Sequence, residues 1–206
     1  MNSPEIPQLQ GLEAFSVTIA DHIAHIQLNR PDALNSMNTA FWKELPNIVK
    51  AIDAAAVARV IVISSTGKHF SAGMDLSVFM EMGASFDGEP ARRGEQFRRK
   101  VLELQGSFNA LEKARMPVLV AVQGACIGGA VDMISACCSR YCTSDAYFSI
   151  KETAIGMTAD VGTLQRLPHV IPQGLIRELA YTGRNLGSRE AKECGLVNQV
   201  FASQAS

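Results

Sequence analysis

Two unbroken apolar runs, "RVIVISS" at 59–65 and "VLVAVQG" at 118–124, each lead into a glycine-bearing turn. Such runs read as strands buried on both faces, the kind that fill parallel sheets. Parallel neighbours need a crossover between them, and helical spacing supplies one on each side. Phe41, Leu45, Ile48, Val49 and Ile52 recur at three and four over residues 38–56, with Asn38 or Thr39 as cap and Pro46 as an internal conflict. Phe97, Val101, Leu104, Phe108 and Leu111 do the same over 95–114. Ahead of them "FSVTIADHIAHIQLN" reads as a hairpin turning at Ala-Asp, and the polar segment 83–94 reads as a loop. A third helix opens near Gly128, a strand follows near "AYFSIK", "ETAIGMTADVG" reads as a loop, and "NQVF" resembles a last strand. Strand, glycine turn and helix alternate, so the expectation is an α/β layered fold in one domain, 1–206.

Composition narrows the partners. Charged residues are 19% of the chain and the net charge is −1, so no whole-molecule field draws nucleic acid or an anionic membrane. No apolar run approaches the roughly 18 residues of a membrane span. The first ten residues, "MNSPEIPQLQ", have neither a basic start nor an apolar centre, so a cytoplasmic location is expected. Cys126, Cys137, Cys138, Cys142 and Cys194 form no C-x-x-C pair and read as reduced apolar residues. His22, His25, His69 and His169 lack ligand spacing, and no metal is expected.

The chemistry gathers around the two turns, "FSAGMDL" and "GACIGGAVDM". Glycine admits close backbone approach, and amides at a helix start point outward unpaired. Two such turns side by side can aim amide hydrogens at one developing oxyanion; the simpler reading is that the glycines only permit tight turns. G-x-G-x-x-G, a phosphate loop and G-x-S-x-G are all absent. Three acids remain. Asp132 stands among apolar neighbours, where burying a carboxylate costs several kcal/mol unless compensated. Glu152 follows twenty positions later and Asp160 eight after that. Glu152 can also be a surface acid paired with Lys151, and Asp160 the N-cap of the next helix.

The pieces "LNRPDALNSMN", "VIVISSTGKHFSAGMDL", "PVLVAVQGACIGGAVDMISACCSRYCTSDAYFSIKE" and "GMTADVGTLQRLPHVI" together resemble the crotonase (enoyl-CoA hydratase/isomerase) superfamily. That resemblance implies a spiral of ββα units, an acyl-CoA thioester as substrate, and an oxyanion hole formed by the Met74 and Gly129 amides. Hydratases of the superfamily have glutamate at the positions of both Asp132 and Glu152. The triple Asp132, Glu152 and Asp160 is similar instead to the dienoyl-CoA isomerase branch, which converts 3,5-dienoyl-CoA to 2,4-dienoyl-CoA in fatty-acid β-oxidation. Glu152 and Asp160 are then the proton-transfer pair, and Asp132, the third acid of the catalytic set, tunes the site or holds a polar group. The same resemblance places CoA against Ala33, Leu34, Ser71, Ala72, Gly73 and Asp75, largely through backbone. Lys68 or Arg30 would meet its phosphates, unless each is an ordinary solvated charge. No separate cofactor is implied, since coenzyme A belongs to the substrate. The superfamily's C-terminal helical segment is absent from the sequence; with it, a homotrimer or pair of trimers is expected. Ala130, where the branch commonly has glycine, and "CCS" in place of "CDI" are departures. Alternatives are an enoyl-CoA hydratase, a single-bond enoyl-CoA isomerase, or a weakly active acyl-CoA-binding fragment.

Overall fold

The computed structural model describes residues 6–204, so half of the N-terminal stretch read above for a leader lies outside the described residues. β1 (Phe15–Ala20) and β2 (Ile23–Leu28) form the expected hairpin, turning at Asp21–His22, one position later than read. α1 (Thr39–Ala55) follows, capped by Asn38, whose side chain accepts the Phe41 amide. Then come β3 (Val60–Ser65), α2 (Leu76–Ser85), α3 (Pro90–Glu112), β4 (Val118–Val122), β5 (Ala125–Ile127) and α4 (Gly129–Ser135). The remainder is β6 (Ser139–Thr143), β7 (Tyr147–Ser149), α5 (Thr163–Arg166), α6 (Gln173–Thr182), β8 (Leu186–Gly187), α7 (Ser188–Glu193) and β9 (Gln199–Phe201).

The strands divide between two sheets. One has the order β1-β2-β3-β4-β6-β9, parallel apart from the hairpin; the other is β5-β7-β8. From β4 onward the chain therefore spirals, with β4, β6 and β9 in the large sheet and β5, β7 and β8 in the small one. Gly124 makes the step from β4 to β5, with φ +55 and no room for a Cβ, which would lie 2.5 Å from the Lys68 carbonyl oxygen. That step ends the expected strand 118–124 at Val122. Ser71 extends the small sheet by a parallel bridge to Cys126.

Two further expectations change. The segment 83–94 is not one loop: α2 runs to Ser85 and α3 starts at Pro90, a residue whose fixed φ suits a first helical turn. β3 and β4 are not buried on both faces; their burial alternates, with Val62 and Leu119 half-buried and Ala121 exposed. The core lies on the other face, centred on Phe15, Phe41, Trp42 and Phe108. Pro46 stays inside α1. Lacking an amide hydrogen, it leaves the Trp42 carbonyl without its helical donor, and the buried Ser107 hydroxyl of α3 donates to that oxygen at 3.1 Å.

Candidate active site

The first turn is tied down by Asn35. Its Nδ2 donates to the Thr66 and His69 carbonyls, its Oδ1 accepts the Arg30 amide, and its own carbonyl accepts the Ser71 hydroxyl. The chain then crosses Gly73 at φ +86, and Asp75 caps α2 by accepting the Ser77 amide and hydroxyl. A Cβ on Gly73 would sit 2.5 Å from the Ile127 oxygen and 3.4 Å from the Gly129 nitrogen. A Cβ on Gly129 would sit 3.2 Å from the Met37 sulfur and 3.8 Å from the Met74 nitrogen. The two turns thus meet with only hydrogen between them. Neither the Met74 nor the Gly129 amide donates to a protein acceptor among the described residues, so both are open to a ligand oxygen.

Beside these amides lies a cavity of about 190 Å³, which brings together Asp132, Glu152 and Asp160 with apolar walls from Leu76, Ile155, Met157 and Val161. Asp132 is fully buried, one turn along α4 from Gly129. Its Oδ1 accepts the Thr163 amide at 2.6 Å, while its Oδ2 has no partner. Burial raises its pKa to about 6, with the Thr163 contact pulling the other way. Glu152 opens a 3-10 turn, Glu152–Ile155, and its Oε2 is also buried without a partner. Burial first, and then the neighbouring Asp132 charge, push Glu152 up to about 7. Burial raises Asp160 as well. Unpartnered, desolvated carboxylates are costly to maintain, and they cluster where proton transfer is needed.

The bland alternatives for these acids fail on geometry. Lys151 donates to the Gly183 carbonyl at 2.7 Å rather than pairing with Glu152. The N-cap of α5 is Gly162, so Asp160 caps nothing.

Among the six residues placed against CoA, Ala72 and Gly73 line the cavity, and Leu34 stands exposed with φ +52 after the turn that contains Ala33. Ser71 is bonded within the protein. It is fully buried, its hydroxyl bridges the Asn35 carbonyl and the Gly73 amide, and its own amide and carbonyl pair with Ala125 and Ile127. The Asp75 carboxylate is taken up by Ser36, Ser77 and, at 3.7 Å, Arg30, which hold its pKa below the usual range. Arg30 also donates to the Ser36 carbonyl at 2.6 Å, whereas Lys68 is an exposed cation. Sequence reasoning missed Thr163 and Asn35. Asn35 carries a signal, an asparagine at a left-handed turn position; Thr163 carries none.

A larger cavity of about 410 Å³ lies at the carboxyl ends of β2, β3, β4, β6 and β9. Gln27, Ser64, Gln123, Tyr141 and Thr143 line it, and among the described residues it holds no carboxylate, histidine or lysine. Among the described residues, no cluster of three or more His, Cys, Asp or Glu is arranged to hold a metal, and no helix is long and apolar enough to cross a membrane.

Residues 18–205 match the family model described as enoyl-CoA hydratase/isomerase. The chain is 43% identical over 205 residues to a mouse protein named Delta(3,5)-Delta(2,4)-dienoyl-CoA isomerase, mitochondrial, covering 97% of this chain and 62% of that one. It is 41% identical to an Arabidopsis thaliana protein of the same name, peroxisomal, covering 94% of this chain and 70% of that one. The crystal structure of a putative enoyl-CoA hydratase from Thermobifida fusca in complex with acetoacetyl-CoA superposes with a TM-score of 0.83 at 28% identity, covering 98% of this chain and 78% of that one. This chain therefore spans under two thirds of the mouse relative's length.

Proposed function

The chain belongs to the enoyl-CoA hydratase/isomerase family, and from that membership and its three clustered acids we propose that it isomerises 3,5-dienoyl-CoA to 2,4-dienoyl-CoA. One observation carries the reading. Asp132, Glu152 and Asp160, all with raised pKa, share one cavity beside two unpaired amides.

The thioester oxygen accepts hydrogen bonds from the Met74 and Gly129 amides. Polarised there, the thioester acidifies C2, because the electron pair left by the departing proton spreads onto that oxygen as an enolate. One carboxylate takes the C2 proton. The pair of double bonds shifts from C3 and C5 to C2 and C4, and a second carboxyl gives a proton to C6. Atoms and charge balance, and no oxidant or separate cofactor takes part. Glu152 and Asp160 are the pair that exchanges these protons, and a pKa near neutrality suits either role. Asp132 holds Thr163 and raises Glu152 through its charge. Hydration needs two carboxylates that reach one water; the shorter side chain of Asp132, drawn toward Thr163 through one oxygen, favours isomerisation.

Acyl-CoA is the partner, held largely through backbone at Ala33, Leu34, Ala72 and Gly73. A homotrimer or pair of trimers belongs to the longer protein in this reading. A cytoplasmic location stands against relatives named mitochondrial and peroxisomal, and fractionation of cells expressing the protein decides between them.

The test is 3,5-dienoyl-CoA presented to the wild type and to Glu152→Gln and Asp160→Asn, following the shifted diene chromophore. Turnover by the wild type and a loss of at least 10²-fold in each variant are expected. Water addition to 2-enoyl-CoA in place of isomerisation would make it a hydratase, and acyl-CoA binding without turnover would make it a binding protein.

A further inference from the structure

Residues 158–161, which carry Asp160, make no backbone–backbone hydrogen bond among the described residues. Side chains hold this stretch instead. Gln105, half-buried on α3, donates through Nε2 to the Asp160 main-chain oxygen at 2.7 Å. Arg166 Nη1 donates to the Val161 oxygen at 3.3 Å, and Asp132 takes the Thr163 amide. Arg166 is itself fastened to α3, through Asn109 Oδ1 at 2.5 Å and Glu112 at 3.0 Å. α3 therefore holds the C-terminal half of the segment, Asp160 directly through Gln105 and Val161 through Arg166.

We propose that Gln105 is a positioning residue, holding the Asp160 carboxyl at the reacting chain through the Asp160 main chain. The inference rests on the isomerase reading above. Proton transfer demands contact within about 2.6–3.2 Å, and an error near 1 Å can cost on the order of 10²-fold. A neutral amide meets that demand without placing a charge beside the acid. The charged groups around Asp160 are Asp132 of α4, Glu152 at the start of the 3-10 turn with Lys151 just ahead of it, and Arg166 of α5; from α3, Glu112 turns to Arg166. With Gln105 gone, the segment loosens, water reaches Asp160, and the burial that raises its pKa is relieved.

The test is Gln105→Met, which keeps the length and removes the donor, with Gln105→Leu as the second variant should the first not fold. On 3,5-dienoyl-CoA, kcat falls on the order of tenfold while KM holds. The limb of the pH–rate profile that Asp160→Asn abolishes moves to lower pH. A carbon NMR titration of the Asp160 carboxyl reads the same downward shift without any turnover. An Asp160 titration unchanged in a folded variant overturns the proposal. If the wild type leaves 3,5-dienoyl-CoA untouched, the isomerase reading falls, and the NMR titration still decides the role of Gln105.

Discussion

Replacing Gly73 with alanine tests the contact on which the oxyanion site depends. The added Cβ would lie 2.5 Å from the Ile127 oxygen, about 0.9 Å inside ordinary contact, and both atoms are fixed to backbone. No side chain can swing away to relieve it. Holding an L-residue at φ +86 adds about 1–3 kcal/mol of strain. The relief available is to part the two turns, and parting them draws the Met74 amide away from that of Gly129. Losing one such donor costs about 3–4 kcal/mol in rate. The expected result is a fall in kcat/KM of about 10²–10³-fold, with about 2–3 kcal/mol of stability lost. Gly106→Ala is the internal control: it lies in α3 with nothing within 4 Å of its added Cβ, and should gain a few tenths to 1 kcal/mol with activity unchanged. Urea unfolding with steady-state kinetics on the folded fraction separates the two losses. A Gly73→Ala enzyme within threefold of wild type, per folded molecule, would refute the claim that the turns are in contact for catalysis.

Two further outcomes follow from groups described above. Glu152 binds its proton more tightly folded than unfolded, so its ionisation opposes folding: the unfolded chain ionises first as pH rises above 4.5, and stability falls until about pH 7. Glu152→Gln should therefore match the wild type near pH 4 and exceed it by about 3 kcal/mol at pH 8; unfolding curves at both pH values check this, and a gap that does not widen with pH contradicts it. Ser107→Ala should cost about 1–3 kcal/mol by orphaning the Trp42 carbonyl, and much less in a Pro46→Ala background, where the restored amide hydrogen can serve that oxygen; a double-mutant cycle showing additive losses would contradict the assignment.

The elements legible in the sequence were those with an apolar period. Phe41 to Ile52 gave α1 within a residue or two, because that face packs on the core. The first turn of α3, residues 90–94, escaped because it carries no apolar stripe. The double burial read into β3 failed for a related reason. An apolar run reports hydrophobicity on both faces, whereas actual cover depends on what packs there. In the site, Asp132 stood out because its chain neighbours are its spatial neighbours. Thr163 and Gln105 did not, since their contacts lie thirty-one and fifty-five positions away and leave no local pattern.

The proline within α1 has a reach beyond its own helix. By withholding a hydrogen it obliges α1 to borrow one from Ser107, and that loan is honoured at a single axial setting of α3. Gln105 stands two positions before Ser107 on the same helix, facing the Asp160 segment. A slide of α3 by one turn, about 5.4 Å, would release both contacts together. The gap at Pro46 thus serves as a registration mark: it indexes a long, outwardly polar helix against the core and passes that alignment to the loop that bears an acid of the site.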